Sequence, residues 1–196
     1  MQSYKSDARF SGVPIVVGVS GGIAAYKTCA VVSALAQSGA SVTVVMTKTA
    51  TRFVTPMTFQ ALSARPVITS MWEHELHHDP QHVALARQAH AVLVAPATMN
   101  TVARIANGFA DDPLSLILSA VDVRETPVLL APSMNEQMWN QPSTRRNIAQ
   151  LSEDGFRFVG PAGGWQACRT VGAGRMAEPW EILHDLAEAI SQKPNA

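Results

Sequence analysis

The chain has 196 residues, 47% of them apolar and 15% charged, with lysine plus arginine and aspartate plus glutamate balanced at 15 each. Such a length and apolar content suit one domain with a continuous core, and the charge balance excludes the broad basic field that nucleic acid or an anionic membrane calls for. The opening residues MQSYKSDARF are polar with no apolar run behind them, so neither a secretory signal nor a membrane anchor is expected and a cytoplasmic location is.

Short β-branched runs at 14–19, 41–46, 91–95 and 126–130 predict strands, with a weaker one at 156–159. Segment 24–37, rich in alanine, predicts a helix that stops at Gly39. An acidic residue followed by proline marks three further helix starts, at Asp79-Pro80, Asp112-Pro113 and Glu178-Pro179, with Glu178 the weak cap. The last helix carries Ile182, Leu183, Leu186, Ala187 and Ile190 on one stripe, the pattern of a helix docked on a sheet.

This alternation predicts a Rossmann-like or flavodoxin-like α/β fold, a three-layer sandwich with a mainly parallel sheet, whose ligand sites fall at the carboxyl ends of the strands. The expected domain covers 12–191, between polar tails at 1–11 and 192–196. Segment 160–176 holds five of the twelve glycines without any period and reads as a functional loop. Low charge with abundant alanine and valine leaves more apolar surface than a small globule usually hides, so a homo-oligomer is expected.

The strand ends hold the candidate site. The first runs into Gly18-Val19-Ser20-Gly21-Gly22-Ile23-Ala24 with a helix directly behind, which offers backbone N–H groups to an anion; a plain tight turn explains the same residues equally well. Ile23 stands where a dinucleotide fingerprint has its third glycine, and Met46-Thr47-Lys48-Thr49 contains no acid for a ribose hydroxyl, so an NAD domain is disfavoured and a mononucleotide phosphate preferred. Thr98, Asn100 and Thr101 crowd the third strand end, more polar groups than one helix cap needs. Asn135 follows the fourth strand and is either a turn residue or a ligand contact.

Cys29 and Cys168 lie far apart without metal-ligand spacing, which argues against a disulfide framework or a zinc site. Cys29, in an apolar helix, reads as a small buried hydrophobe. Cys168 sits in the glycine-rich segment near Arg169 and Arg175, a cationic setting of the kind that activates thiols, although an inert loop cysteine is the commoner case. His74, His77 and His78 read as a polar cluster, and with no carboxylate or cysteine at recognisable spacing a metal site there is disfavoured.

Five segments in order, namely Val19-Ser-Gly-Gly-Ile-Ala-Ala25, the helix of His82, Ala95-Pro-Ala-Thr-Met-Asn-Thr101, Pro132-Ser-Met-Asn-Glu-Gln-Met138, and Gln166-Ala-Cys168 with Gly172-Ala-Gly-Arg-Met176, resemble the homo-oligomeric flavin-containing cysteine decarboxylases, and most closely their phosphopantothenoylcysteine decarboxylase branch. The resemblance implies FMN held by Gly21, Gly22, Ile23, Thr47, Thr49, Thr98, Met99, Asn100, Thr101 and Met134. It implies substrate contacts at Asn135, Ala167 and Met176, a base at His82, a group binding the substrate carboxylate or its amide at Asn135 and a proton donor at Cys168 in a 160–176 flap.

By the same resemblance the reaction removes carbon dioxide from phosphopantothenoylcysteine to give phosphopantetheine in coenzyme A synthesis. Oxidising the thiol first gives the departing carboxylate a thioaldehyde to leave electrons in, and the resulting enethiol is then reduced again. A trimer or dodecamer is a further implication; the synthetase domain fused to this module in many bacteria does not follow the last helix, so a separate synthetase protein is expected. The chain departs from the family at Arg169, where glycine is usual. An oxidative peptidyl-cysteine decarboxylase and a non-catalytic flavin-binding regulator are the alternatives.

Overall fold

The computed structural model describes residues 6–72 and 81–192. Strands β1 (Pro14–Val19), β2 (Ser41–Met46), β3 (Ala91–Ala97), β4 (Val128–Pro132) and β5 (Arg157–Phe158) form one sheet in the order β2-β1-β3-β4-β5, with every neighbouring pair parallel. The expected three-layer α/β sandwich is what the chain forms. β1 and β2 have the limits of their β-branched runs. β3 and β4 run two residues past theirs, to Ala97 and Pro132, which pair with each other beyond an irregularity after Val94.

Alternate strand residues face opposite layers, as the pleat requires. Ile15, Val17, Val42, Val44, Leu93 and Leu129 pack beneath α1 (Ala25–Gln37), α2 (Pro56–Ser63) and α8 (Pro179–Ser191). Val16, Val45, Val92, Val94, Val128 and Leu130 pack beneath α3 (Gln81–Gln88), α4 (Met99–Ala106), α5 (Pro113–Ser119) and α7 (Pro142–Glu153). Burial on both faces is why these strands read as unbroken apolar runs.

Asp112 caps α5 as expected, its Oδ1 accepting the Ser115 N–H at 2.9 Å. The Asp79-Pro80 start lies outside the described residues. Glu178 is a weak cap for a visible reason: its carboxylate accepts from Lys27 Nζ and Arg175 Nη2, each at 2.9 Å, and it is the Glu178 N–H that donates to Glu181 Oε2 at 2.7 Å.

Two segments differ from the expectations. Residues assigned to a polar tail include Phe10, which is fully buried in the core, while Arg9 pairs with Glu188 of α8. The aperiodic segment 160–176 is a hairpin of β6 (Ala162–Trp165) and β7 (Val171–Arg175), paired antiparallel. Glycine carries no strand signal, so this ribbon is invisible to periodicity and depends on what it docks against. Among the described residues no helix is long and apolar enough to cross a membrane.

Gly18 is the last but one residue of β1, and a Cβ there would stand 2.3 Å from Leu114 Cδ1 of α5. Gly18→Ala therefore forces a side chain that is 1% exposed to move within a packed layer, at an expected cost of about 1–3 kcal/mol. Urea unfolding of the two proteins measures it; an unchanged midpoint would mean that Leu114 repacks freely.

Candidate active site

In the order β2-β1-β3-β4-β5 the chain direction of assembly reverses between β1 and β3, so α1 leaves for one face and α4 for the other and a crevice opens between their loops. Ser20, fully buried, bridges those loops. Its hydroxyl donates to Pro96 O at 2.7 Å, accepts the Thr98 N–H at 3.1 Å, and lies 3.2 Å from Thr98 Oγ1. One layer deeper, the buried Thr28 hydroxyl donates to Ala95 O at 2.7 Å.

The turn after β1 is open. A Cβ on Gly21 would lie 2.4 Å from Thr49 Cγ2, and one on Gly22 3.3 Å from Thr98 Cγ2, so the two glycines let this turn fit between the loops of β2 and β3. Ala24 precedes α1 without a side-chain cap, and among the described residues the N–H groups of Gly21, Ile23 and Ala24 meet no acceptor. Unsatisfied donors at a helix start fit a phosphate.

Of the hydroxyls beside the turn, Thr47 Oγ1 accepts the Ala50 N–H at 3.2 Å, while Thr49 is exposed against Gly21. Thr98 caps α4 by accepting the Thr101 N–H at 3.4 Å and lies 3.1 Å from the Thr101 hydroxyl. That leaves Asn100 exposed with its amide uncommitted among the described residues; Met99 beside it is half-buried.

The β6–β7 hairpin docks on the loop after β4. Met134 N–H donates to Gly174 O at 2.9 Å, and a Cβ on Gly174 would stand 2.2 Å from Met134 O. Gly172 leaves room for the Glu136 carboxylate, whose Cδ would be 2.6 Å from a Cβ. Gln166, buried, joins the parts: its N–H donates to Thr170 O at 2.8 Å, its Nε2 to Ala173 O at 2.7 Å, and its Oε1 faces the Glu136 N–H at 3.4 Å.

At the tip Cys168 is exposed, its Sγ 3.0 Å from Thr170 Oγ1 and 3.5 Å from Gln166 Oε1. Asn135, next to Glu136, is exposed and caps α6 (Glu136–Asn140) by accepting the Met138 N–H at 2.8 Å on Oδ1, so the donor it retains is Nδ2.

The family model described as Flavoprotein matches residues 3–191. The chain belongs to that family. It is 45% identical over 182 residues to the coenzyme A biosynthesis bifunctional protein CoaBC of Bacillus subtilis, covering 93% of this chain and 44% of that protein. The chain thus spans less than half the length of the curated relatives it matches. Among solved structures, the FMN-dependent cysteine decarboxylase SpaF superposes with a TM-score of 0.81 at 29% identity, covering 95% of this chain and 99% of that one. A PPC decarboxylase variant bound to pantothenoylaminoethenethiol superposes with a TM-score of 0.80 at 29% identity, covering 89% and 96%.

Within this flavoprotein the sheet edge thus gathers Gly21, Gly22, Ile23, Thr47, Thr49, Thr98, Met99, Asn100, Thr101, Met134 and Asn135 on the loops after four adjacent strands, and the hairpin brings Ala167 and Cys168 on a flap docked to the last of them. His82 sits half-buried in the first turn of α3 and hydrogen-bonds to none of the described residues. α3 returns to start the parallel strand β3, which turns its first helical turn toward the same edge. His74, His77 and His78 lie outside the described residues, and among those described no cluster could hold a metal ion.

Met176 differs from its expected substrate-facing role: its side chain is fully buried in the core, and its carbonyl accepts from Lys27 Nζ at 3.4 Å. Arg175 differs too, because its guanidinium pairs with Glu178 and packs over Gly164, which leaves Arg169 as the cation beside Cys168 in sequence. Cys29 is half-buried and burial pushes its thiol up, in keeping with a small hydrophobe. Ser20, Thr28, Gln166 and Thr170 carry the site's hydrogen bonds without having been singled out by spacing; their signal is hydroxyl and amide groups next to a strand end or a cysteine.

Gly174, at φ 122, meets the Met134 carbonyl, a backbone atom that cannot swing away. Gly174→Ala is therefore expected to detach the flap while sparing the sheet, seen as faster hydrogen exchange over 162–175 and unchanged exchange in β1 and β3. Arg169 holds φ 65, a left-handed conformation, so Arg169→Gly is expected to shift the same exchange the other way by about 0.5–1 kcal/mol.

Proposed function

We propose that this chain decarboxylates phosphopantothenoylcysteine to phosphopantetheine with FMN, a step of coenzyme A synthesis. The observation that carries the reading is the Cys168 hairpin, tied through Gln166 to the residue beside Asn135 at the same sheet edge as an anion-fitting turn. The relatives named for coenzyme A biosynthesis and the solved PPC decarboxylase support it.

The phosphate of FMN suits the N–H groups of Gly21, Ile23 and Ala24, with Gly22, Thr47, Thr49, Thr98, Met99, Asn100, Thr101 and Met134 around the rest. Bound there, FMN would supply a two-electron acceptor and donor for the carbon bearing sulfur. His82 takes the proton released from the substrate sulfur. Asn135 offers Nδ2 to the carboxylate and orients the bond that breaks. Cys168 Sγ protonates the carbon that has lost carbon dioxide, which turns the enethiolate back into a thiocarbonyl that can be reduced again, so that the net reaction is redox-neutral. Ala167 meets the substrate at the flap tip, and Met176 anchors the base of the hairpin in the core.

The proposal extends to a homo-oligomer, a trimer or a multiple of one. Ile23, Tyr26, Phe53 and Met57, at the neighbouring starts of α1 and α2, are 59%, 61%, 46% and 78% exposed, an apolar patch that a second copy of the chain would cover.

Mass spectrometry after incubation with phosphopantothenoylcysteine and no other electron acceptor tests it, with phosphopantetheine as the expected product. Enethiol with lasting flavin bleaching would instead favour an oxidative peptidyl-cysteine type of decarboxylase, and unreacted substrate a flavin-binding regulator. His82→Asn is expected to keep FMN and fold but lose decarboxylation. Asn135→Asp still caps α6, because aspartate caps as well as asparagine, yet it should repel the substrate carboxylate and raise KM. Cys168→Ser should bleach anaerobically and stay bleached, since serine is a far poorer acid, whereas wild type regains its colour; identical traces would remove Cys168 from the proton-donor role.

A further inference from the structure

Cys168 has a hydroxyl partner that the chemistry above leaves unused. Thr170 Oγ1 lies 3.0 Å from Cys168 Sγ and 3.4 Å from Gln166 Oε1, and Gln166 Oε1 is 3.5 Å from Sγ. The Gln166 amide has one orientation that fits, because Nε2 must donate to Ala173 O and Oε1 must face the Glu136 N–H. It therefore presents an acceptor to the sulfur, which suits a thiol and opposes a thiolate. Thr170 is the contact of Sγ that can both accept and donate.

We propose that Thr170 is a positioning residue for Cys168, the donor that holds the thiolate left after Cys168 has given up its proton. The inference rests on the decarboxylase reading for the destination of that proton. In the step, the S–H bond breaks, a C–H bond forms at the carbon that lost carbon dioxide, and the electron pair stays on sulfur. Thr170 O–H turns from Gln166 Oε1 to Sγ, and water restores the thiol after product leaves. The charged groups facing this tip are Arg169 on the turn, Glu136 against Gly172 and Ala173, and the Arg175–Glu178 pair at the hairpin base. None of them changes when Thr170 is replaced.

The test compares Thr170→Val, which keeps the branched shape, with Thr170→Ser, which keeps the hydroxyl. In holoprotein without substrate, iodoacetamide labelling of Cys168 is followed against pH by peptide mass, which separates it from Cys29. Valine is expected to slow labelling about tenfold on the rising part of the profile, the range for one hydrogen bond to a charged group, and serine to restore it. With phosphopantothenoylcysteine under anaerobic conditions, flavin bleaching should keep its rate in Thr170→Val while the return of colour slows, again rescued by serine. Superimposable labelling profiles for wild type and valine, or equal losses in valine and serine, would overturn the proposal. A labelling shift in a protein whose wild type leaves the substrate untouched would instead uphold the Thr170 contact and overturn the substrate reading.

Discussion

The hydroxyl of Ser20 is both donor and acceptor, and the buried edge of the sheet uses it as both. It donates to Pro96 O, accepts from Thr98 N–H, and closes on Thr98 Oγ1, with no exposure to water. Leaving such groups unpaired inside a core costs about 1–3 kcal/mol each, so the loops after β1 and β3 are held together where their helices part to opposite faces. Thr98, fixed by that contact, is also the cap of α4. The open turn at Gly21 to Ala24 is thereby shaped by the sheet and by Thr49 packed on Gly21, and the N–H groups of Gly21, Ile23 and Ala24 meet no acceptor among the described residues.

The flap follows a different logic. A two-stranded ribbon is marginal by itself, and this one contains little to pack with. Its glycines instead allow close approach: Gly174 to the Met134 carbonyl, Gly172 to the Glu136 carboxylate. The hairpin root is clamped by Glu178, which takes Lys27 of α1 and Arg175 of β7 on one oxygen. The same helix that begins at the anion-fitting turn thus anchors the strand that carries the flap, so the two halves of the site share one support. A unit held by a few polar contacts rather than by apolar area lies at the low-stability end of a fold, where moving parts are found.

Much of this was legible in the residue order, for physical reasons that differ from element to element. β1 and β2 announce themselves because burial on both faces demands unbroken apolar runs. Asp112-Pro113 marks α5 because a cap and a proline act locally. β3 and β4 were expected to stop at Ala95 and Leu130, yet Ala97 and Pro132 pair past the irregularity, a tertiary fact that no local rule contains. The hairpin escaped for a related reason, since its order comes from docking. Met176 shows the limit for side chains: an apolar residue next to a flap can face a ligand or the core, and here the core takes it. Arg175 was expected to stand near Cys168, but Glu178, three residues on, was already in place to claim it.

Arg169 ties these strands of argument together. Its N–H donates to Gln166 O at 2.9 Å and the Gln166 N–H donates to Thr170 O at 2.8 Å, so the tip closes as a tight turn around it. Closing that turn requires φ 65 at a residue with a side chain, at a cost of about 1–2 kcal/mol relative to an unstrained backbone. The geometry obtained in return is specific. With residue 169 left-handed, the side chains on either side of it converge, and Cys168 Sγ comes to 3.0 Å from Thr170 Oγ1 while both face the amide oxygen of Gln166. An extended tip would keep residues 168 and 170 on one face but roughly 6–7 Å apart along the ribbon, which leaves the thiol without a hydroxyl partner. The strained residue is therefore the one that sets the direction of the Cys168 side chain at the tip.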